Sequence, residues 1–401
     1  MLIQKAFKYR LRTDADIEQR LRMIAGCCRF VWNKALALQK ERFAAGEKKL
    51  GYAGLCKELT AWKQQPETNF LCEAPIHVLQ QTLKDLDRAY ANFFARRADL
   101  PVFKKRGQHD AFRNPDCFII DADNGRVKLP KLGWLRYRNS RKVEGVPRNV
   151  TVSQHGGHWY VSIQIEQIVP DPTHESTTSI GIDRGITALA AFSDGSLIQP
   201  LNAFARAKRK LARLQRQLSR KVKFSENWKK QKQRITKLHS KIANMRKDYL
   251  HKLTTEISKN HAVVVIEDLQ IKNMSASAKG SVEAPGRNVK QKAGLNRSIL
   301  DQGWGELSRQ LEYKLNWLGG TLVKVPPQYT SQACNECGHV SKENRKGTKF
   351  LCLACGHEAH ADVNAAKNIL AAGLAVIACG EHLDVTGSMK QEPTGGDYAF
   401  A

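Results

Sequence analysis

The sequence predicts an α/β protein with attached α and β modules, and three observations lead there. A continuous apolar run, "HAVVVIEDL" (261–269), reads as a strand buried on both faces, as in a sheet covered by helices. Apolar residues recur three and four apart, as at Leu79, Leu83, Leu86, Tyr90 and Phe93, which makes amphipathic helices. Two Cys-x2-Cys pairs, each followed by glycine, read as a small metal-held knob set between regular elements.

In chain order, "LIQKAFKYR" (2–10) alternates as a strand. Residues 14–43 follow as helix, with Leu21, Ile24, Cys28, Val31 and Leu36 on one face. "PIHVLQQTLKDLDRAYANFFARR" is a second helix whose stripe reads as core, with Pro75 suited to its first turn. From 101 to about 170 come short β segments, including "VKLPKLGWLRYR" and "HWYVSIQIEQIV". Strand, then helices, then strands predicts a β-barrel or sheet interrupted by a helical insertion. "PVFKKRGQHDAFR" suits a phosphate-contacting loop and a solvated linker about equally. "IVPDPTHESTTS" (168–179) has a linker's composition, and "IGIDRGITALAAFSDG" reads as two strands with a tight turn near Arg184 and Gly185. Residues 201–250 read as two helices broken at "FSENW". "QIKNMSASAKGSVEAPGRNVKQKAG" reads as a mobile loop, "SILDQGWGELSRQLEYKLNWLG" as helix and "TLVKVPP" as a short strand. The tail beyond 384 has no apolar period and reads as disordered.

The chain has 401 residues, more than one ordinary core organises, so two or three domains are expected. It holds no run of eighteen apolar residues, so no membrane span is expected, and its start lacks the apolar stretch of a signal peptide. A bacterial cytoplasmic protein is the plain expectation. Lys plus Arg number 65 against 38 Asp plus Glu, a net charge of +27 that repels itself without an anionic companion. Nucleic acid is the expected partner. The charge centre is 201–250, with seventeen Lys or Arg against two acids, Glu226 and Asp248. A charge run is often only a solvated face. One so nearly single-signed points instead to phosphate. Cys27, Cys28, Cys56, Cys72, Cys117 and Cys379 are scattered and read as small apolar residues of a reducing compartment.

Chemistry concentrates at two sets of residues. Cys334-x2-Cys337 and Cys352-x2-Cys355 are separated by fourteen residues, with Gly338 and Gly356 permitting the two turns. Four thiolates close a tetrahedron around Zn²⁺ and leave no open position, so the site is structural; an iron–sulfur cluster is the lesser alternative. His339, His357 and His360 are not needed. The second set is acidic. Asp183 ends a strand in "IGIDRG", Glu267 ends one in "VVVIED", and Asp362 opens a helix in "HADVNAAKNI". Each also has an ordinary reading: Asp183 as a turn residue, Glu267 with Asp268 as its competitor on the opposite strand face, Asp362 as a helix N-cap. Gathered at one sheet edge, three carboxylates can hold two Mg²⁺ about 4 Å apart, aligning a water and stabilising the departing 3′ oxygen of a phosphodiester.

At these residues the chain resembles the TnpB family, the orfB-type proteins of bacterial insertion sequences, which are related to the type V CRISPR effector nucleases. The stretches that carry the resemblance are "GIDRGITALAAFSDG", "VVIEDLQIKNM", "VPPQYTSQACNECG", "FLCLACG" and "DVNAAKNIL", with the basic helices and "KAFKYRLRTD", "RFVWNKAL", "FKKRG" and "LPKLGWLRYR". It covers the chain to about residue 380. The resemblance implies an RNase H-like (RuvC) nuclease whose catalytic, magnesium-holding acids are Asp183, Glu267 (over Asp268) and Asp362. It implies a zinc ribbon on the four cysteines just before the last acid, and an N-terminal wedge β-barrel interrupted by a helical recognition lobe. The domains expected are wedge strand 1–12, recognition lobe 13–100, wedge remainder 101–172, nuclease 173–329, ribbon 330–358, C-terminal nuclease helix 359–383 and tail 384–401. The implied function is RNA-guided cleavage of double-stranded DNA beside a short adjacent motif, the guide RNA coming from the element's end and the protein acting as a monomer with its RNA. Alternatives are a nuclease-inactive RNA-guided repressor, a DNA transposase, and a zinc-ribbon nucleic-acid-binding module without catalysis.

Overall fold

In the computed structural model, which describes residues 1–281 and 283–379, the chain divides into two units. The tail expected at 384–401 lies outside the described residues. One unit comprises Met1–Pro170 with Val222–Ser240; the other takes Asp171–Lys221 and the chain from Lys241 onward. In the first, β1 (Leu2–Arg10) precedes α1 (Ala15–Ala44), α2 (Tyr52–Gln64) and α3 (Ile76–Phe94). Six strands follow: β2 (Ala111–Asn114), β3 (Ile119–Asp121), β4 (Arg126–Leu129), β5 (Gly133–Arg136), β6 (Val146–His155) and β7 (His158–Ile168).

α1 starts where the Asp14 carboxylate accepts a hydrogen bond from the Ile17 N–H at 2.8 Å, satisfying one of the free amides of a helix start. Its buried face runs through Leu21, Ile24, Cys28, Val31, Ala35 and Leu36. α3 buries Val78, Leu79, Thr82, Leu83, Leu86 and Tyr90. Pro75 is its N-cap rather than a first-turn residue, and the stripe fades one turn early, at a half-buried Phe93. α2 is a helix that the sequence pattern did not single out. β1 pairs antiparallel over its whole length with β7, Leu2 opposite Ile168 and Arg10 opposite Tyr160, in a sheet of order β1-β7-β6-β2. The three helices therefore interrupt one sheet, and their apolar faces share a core with Val150, Val152, Trp159, Val161, Ile163 and Ile165. β3, β4 and β5 form a second antiparallel sheet. A bridge between Leu11 and Tyr137 joins the end of β1 to the end of β5.

The second unit is built on β8 (Ser179–Asp183), β9 (Ala190–Phe192), β10 (Leu197–Ile198), α4 (Ala203–Ser219) and α5 (Glu226–Asn260), whose first half belongs to the other unit. Next come β11 (Val263–Glu267), α6 (Ile271–Met274), α7 (Val289–Gln302), α8 (Trp304–Leu318) and β12 (Thr321–Val325). Short strands β13 (Arg345–Lys346), β14 (Lys349–Leu351) and β15 (Glu358–His360) lead into α9 (Ala361–Ala378). The expected loop before 295 thus contains α6 and the first turns of α7, and the helix expected from 298 is split at Gly303.

The main sheet has the order β10-β9-β8-β11-β12. β8, β9 and β10 are joined antiparallel, whereas β11 runs parallel to both β8 and β12. One face, with Ile180, Ile182, Val264 and Ile266, packs on Leu250, Leu253 and Ile257 of α5 and on Leu307, Leu311 and Leu315 of α8. The opposite face, with Val265, Val323 and Val325, packs on Ile369 of α9. α9 lies so close that a Cβ on Gly181 would come 2.2 Å from the Ala366 carbonyl oxygen, so only glycine fits there. Among the described residues α9 is also the one helix whose length and mean hydropathy, 1.3, match a membrane span. Here its small apolar residues serve the sheet contact.

Candidate active site and metal centre

Side-chain parity decides which acids share a face. Residues two apart on a strand point the same way. Gly181 and Val265 both face α9, so Asp183 and Glu267, two residues on, do so as well. α9 carries Asp362 in its first turn, and the helix cap is His360, so Asp362 is not the N-cap. Asp268 is exposed, whereas Glu267 is buried.

The three carboxylates feel one another. Burial, then the charges of Glu267 and Asp362, push the Asp183 carboxyl up to about 7, against the opposing pull of Arg345 and Arg184. Glu267 accepts a hydrogen bond from the Thr330 hydroxyl at 2.6 Å. Asp362 Oδ1 is ion-paired with Arg345 Nη2 at 2.7 Å. The buried Arg184 donates to the Glu267 carbonyl and, at 2.6 Å, to Ser308 Oγ. Their ligand oxygens do not all lie within 4.8 Å of one another, the spacing that two other groups of side chains reach among the described residues. Three like charges repel. Here one is answered by an arginine, one by a hydroxyl, and one by a raised proton affinity. The donors are hard oxygens, the type a hard divalent cation such as Mg²⁺ takes, although the three side chains stand farther apart here than the ligands of a single ion.

The first of the two closer groups is Cys334, Cys337, Cys352 and Cys355. Cys334 Sγ is 3.7 Å from Cys355 Sγ, and Cys337 Sγ is 3.5 Å from Cys352 Sγ. These separations are far beyond a disulfide's ~2.05 Å. They approach the ~3.8 Å edge of a sulfur tetrahedron with metal–sulfur bonds of about 2.3 Å, so the site fits Zn²⁺. Each pair forms the same knuckle. The Gly338 N–H reaches the Cys334 carbonyl and the Gly356 N–H the Cys352 carbonyl, both at 2.9 Å, with φ of +75° and +73°. The other group, His77, Asp116 and Cys117, lies on the exposed surface, and no sequence spacing pointed to it.

Hydrogen bonds tie the knuckles to the acids. Asn364, buried in α9, accepts from the Asn335 N–H at 3.0 Å and donates to the Ala333 carbonyl at 2.8 Å. Asn368, one turn on, donates to the carbonyls of Thr330 and Ala333 at 2.9 and 2.8 Å. Asn344 bonds the carbonyls of Gln332 and His339, and accepts from the Leu353 N–H at 3.1 Å. The cysteine module therefore presents Thr330 to Glu267, supplies Arg345 to Asp362, and grips the helix that carries Asp362. Thr330, Arg345, Asn364 and Asn368 were not singled out from the sequence. The one signal for the asparagines is their spacing of four on a largely apolar helix.

Comparison with known proteins agrees with this architecture. Residues 162–278 match the family OrfB_IS605, described as "Probable transposase". Residues 304–369 match "Cas12f1-like, TNB domain", the span that holds the cysteines and Asp362. Residues 1–48 match the "Helix-turn-helix domain" HTH_OrfB_IS605, although here they comprise one strand and one helix. The "Putative RNA-guided DNA endonuclease InsQ" of Escherichia coli (strain K12) is 58% identical over 391 residues, 97% of either chain. A "Putative RNA-guided DNA endonuclease" of Streptomyces pristinaespiralis is 36% identical over 404 residues, 98% of this chain and 96% of that one. Among solved structures, that of a Cas12f1-sgRNA-target DNA complex superposes with a TM-score of 0.56 at 16% identity, covering 92% of this chain and 98% of that one. The fold is thus of the Cas12f1 class. By sequence the chain belongs to the TnpB family, the OrfB-type proteins of the insertion sequence IS605 group.

Proposed function

We propose that this protein is an RNA-guided DNA endonuclease whose active site is Asp183, Glu267 and Asp362. The observation that carries the reading is that strand parity turns Asp183 and Glu267 toward α9, the helix that carries Asp362 in its first turn. The two relatives that align over nearly the whole chain, both named "Putative RNA-guided DNA endonuclease", support it. Strand order β10-β9-β8-β11-β12, with β11 parallel to β8, supports reading the second unit as RNase H-like. In the same reading the sheets of the first unit form the wedge, and α1–α3 form the recognition lobe.

The three acids would hold Mg²⁺, which when bound activates a water and stabilises the leaving oxygen of a phosphodiester. The chain's own part is placement. Thr330 orients the Glu267 carboxylate by donating to it. Arg345 holds Asp362 and adds a positive charge beside the acids, suited to a scissile phosphate. The zinc-held module keeps both in position. Exposed cations such as Arg206, Lys208, Arg209, Lys210, Arg213 and Arg216 on α4 supply phosphate contacts. Sequence reading falls to base pairing between guide and target, while the protein holds the heteroduplex by its backbone and reads a short adjacent motif.

The test is to express the chain with its native flanking DNA, sequence the RNA that co-purifies, and challenge the complex with matched and unmatched plasmids. A discrete RNA and cleavage of the matched plasmid are expected. Asp183→Ala, Glu267→Ala and Asp362→Ala should each lower cleavage by at least ~10³-fold while the RNA stays bound, because each removes several kcal/mol of transition-state stabilisation. Full cleavage by one variant removes that residue from the site. Purified protein free of RNA would overturn the guided reading.

A further inference from the structure

The tip joining α4 to α5 exposes apolar side chains in a stretch whose charges are nearly all positive, "RKVKFSENWKKQK" (220–232). Val222 is 79% exposed and Phe224 65%. Phe224 stands at φ +69°, a left-handed backbone that a bulky residue rarely adopts. Its ring centre lies 5.5 Å from that of Trp228, with the planes 57° apart. The Trp228 backbone N–H donates to Ser225 Oγ at 3.2 Å, a bond at the start of α5, the helix that carries the Trp228 ring. Lys223 Nζ sits 5.2 Å from the centre of the Phe224 ring, and Lys232 Nζ 5.1 Å from that of Trp228. Glu226, the one acid in this stretch, is paired with Lys229 at 2.7 Å.

Exposed Phe224 backed by Trp228, with one ammonium group beside each ring, matches a partner that is flat and apolar at its centre and anionic at its edge. A lone anion does not need the ring, and an apolar surface does not need the lysines. An unpaired nucleobase with its flanking phosphates needs both. We propose that Phe224, backed by Trp228, is a stacking site for an unpaired base of a bound nucleic acid, with Lys223 and Lys232 on the adjacent phosphates. The proposal rests on the nucleic-acid-binding reading above and adds a contact to it.

The test uses full-length protein and fluorescently labelled single-stranded RNA and DNA oligonucleotides over a salt series. Phe224→Ala should weaken binding by about tenfold, the order expected for losing one aromatic stack, and leave the salt slope unchanged. Phe224→Trp should restore wild-type affinity, which separates stacking from any disturbance of the turn. Lys223→Ala and Lys232→Ala should lower the slope of log affinity against log salt instead. The oligonucleotide on which Phe224→Ala acts identifies the strand. If the wild type binds and Phe224→Ala binds equally well to both strands, the stacking site is wrong and the broader reading stands. If Phe224→Ala lowers the salt slope as the lysine variants do, the tip is electrostatic only. If the wild type binds neither strand, both readings fall.

Discussion

At the residue scale, Asp183 is the informative group. Its carboxyl is held up to about 7 by burial and by two neighbouring acids, against 3.8 for the unfolded chain. Between those values the folded, metal-free protein keeps a proton that the unfolded chain has released. Stability therefore falls as pH rises through that window. The loss should be on the order of a few kcal/mol at pH 7, since each tenfold change in proton affinity corresponds to about 1.4 kcal/mol. Asp183→Asn should flatten this dependence. Added Mg²⁺ should offset the loss in the wild type, because the cation takes the proton's place. Thermal melts of metal-free protein from pH 4 to 7, with and without the substitution, check both points. Parallel pH profiles for the two proteins would show that Asp183 is not the titrating group.

At the element scale, the cysteine module and α9 act as one part. The four sulfurs fold the knuckles, and two asparagines fasten the knuckles to the helix carrying Asp362. Asn364→Ala leaves the Asn335 N–H without its buried partner, while Asn368 still reaches the Ala333 carbonyl. That should cost about 1–3 kcal/mol. Cleavage should fall with RNA binding retained, because Thr330 and Arg345 are no longer held against their acids. Cys334→Ser should go further, lowering bound zinc as well as the melting temperature. Metal analysis beside the melts separates the two variants: zinc is retained in the first and lost in the second. Unchanged zinc in Cys334→Ser would contradict four-cysteine ligation. The knuckles themselves are legible from spacing, since both pairs close over three bonds of local chain. Their attachment to α9 is not, because Asn364 and Asn368 look like ordinary polar helix residues until the loop at 330–335 is brought beside them.

At the scale of the whole molecule, the net charge of +27 has to be compensated. α4 shows how the cations are arrayed. Leu211 and Leu214 bury one edge, while the arginines and lysines elsewhere on the helix, such as Lys208, Arg209, Arg213 and Arg216, stay exposed. The helix is docked by Asp301, which accepts from the Phe204 N–H at 3.0 Å and caps its start from α7. An RNA bound to such surfaces has already released its counterions. Binding of non-target duplex DNA should therefore show a steeper salt dependence for the RNA-free chain than for the RNA-loaded one. Titrations over a salt series measure the two slopes, and equal slopes would mean that RNA and DNA do not share these cations.

What the sequence determined by itself is whatever depends on neighbours along the chain. Examples are the faces of α1 and α3, the buried strand β11, the paired knuckles and the sign of the charge on α4 and α5. Periodicity and chelate spacing are local properties, so one sequence displays them. Only the tertiary structure decided which distant groups meet. It paired β1 with β7 across three helices, and it set Arg345 on Asp362 and Thr330 on Glu267. Those outcomes follow from strand order and side-chain parity against a packed helix, and neither can be read from one segment alone.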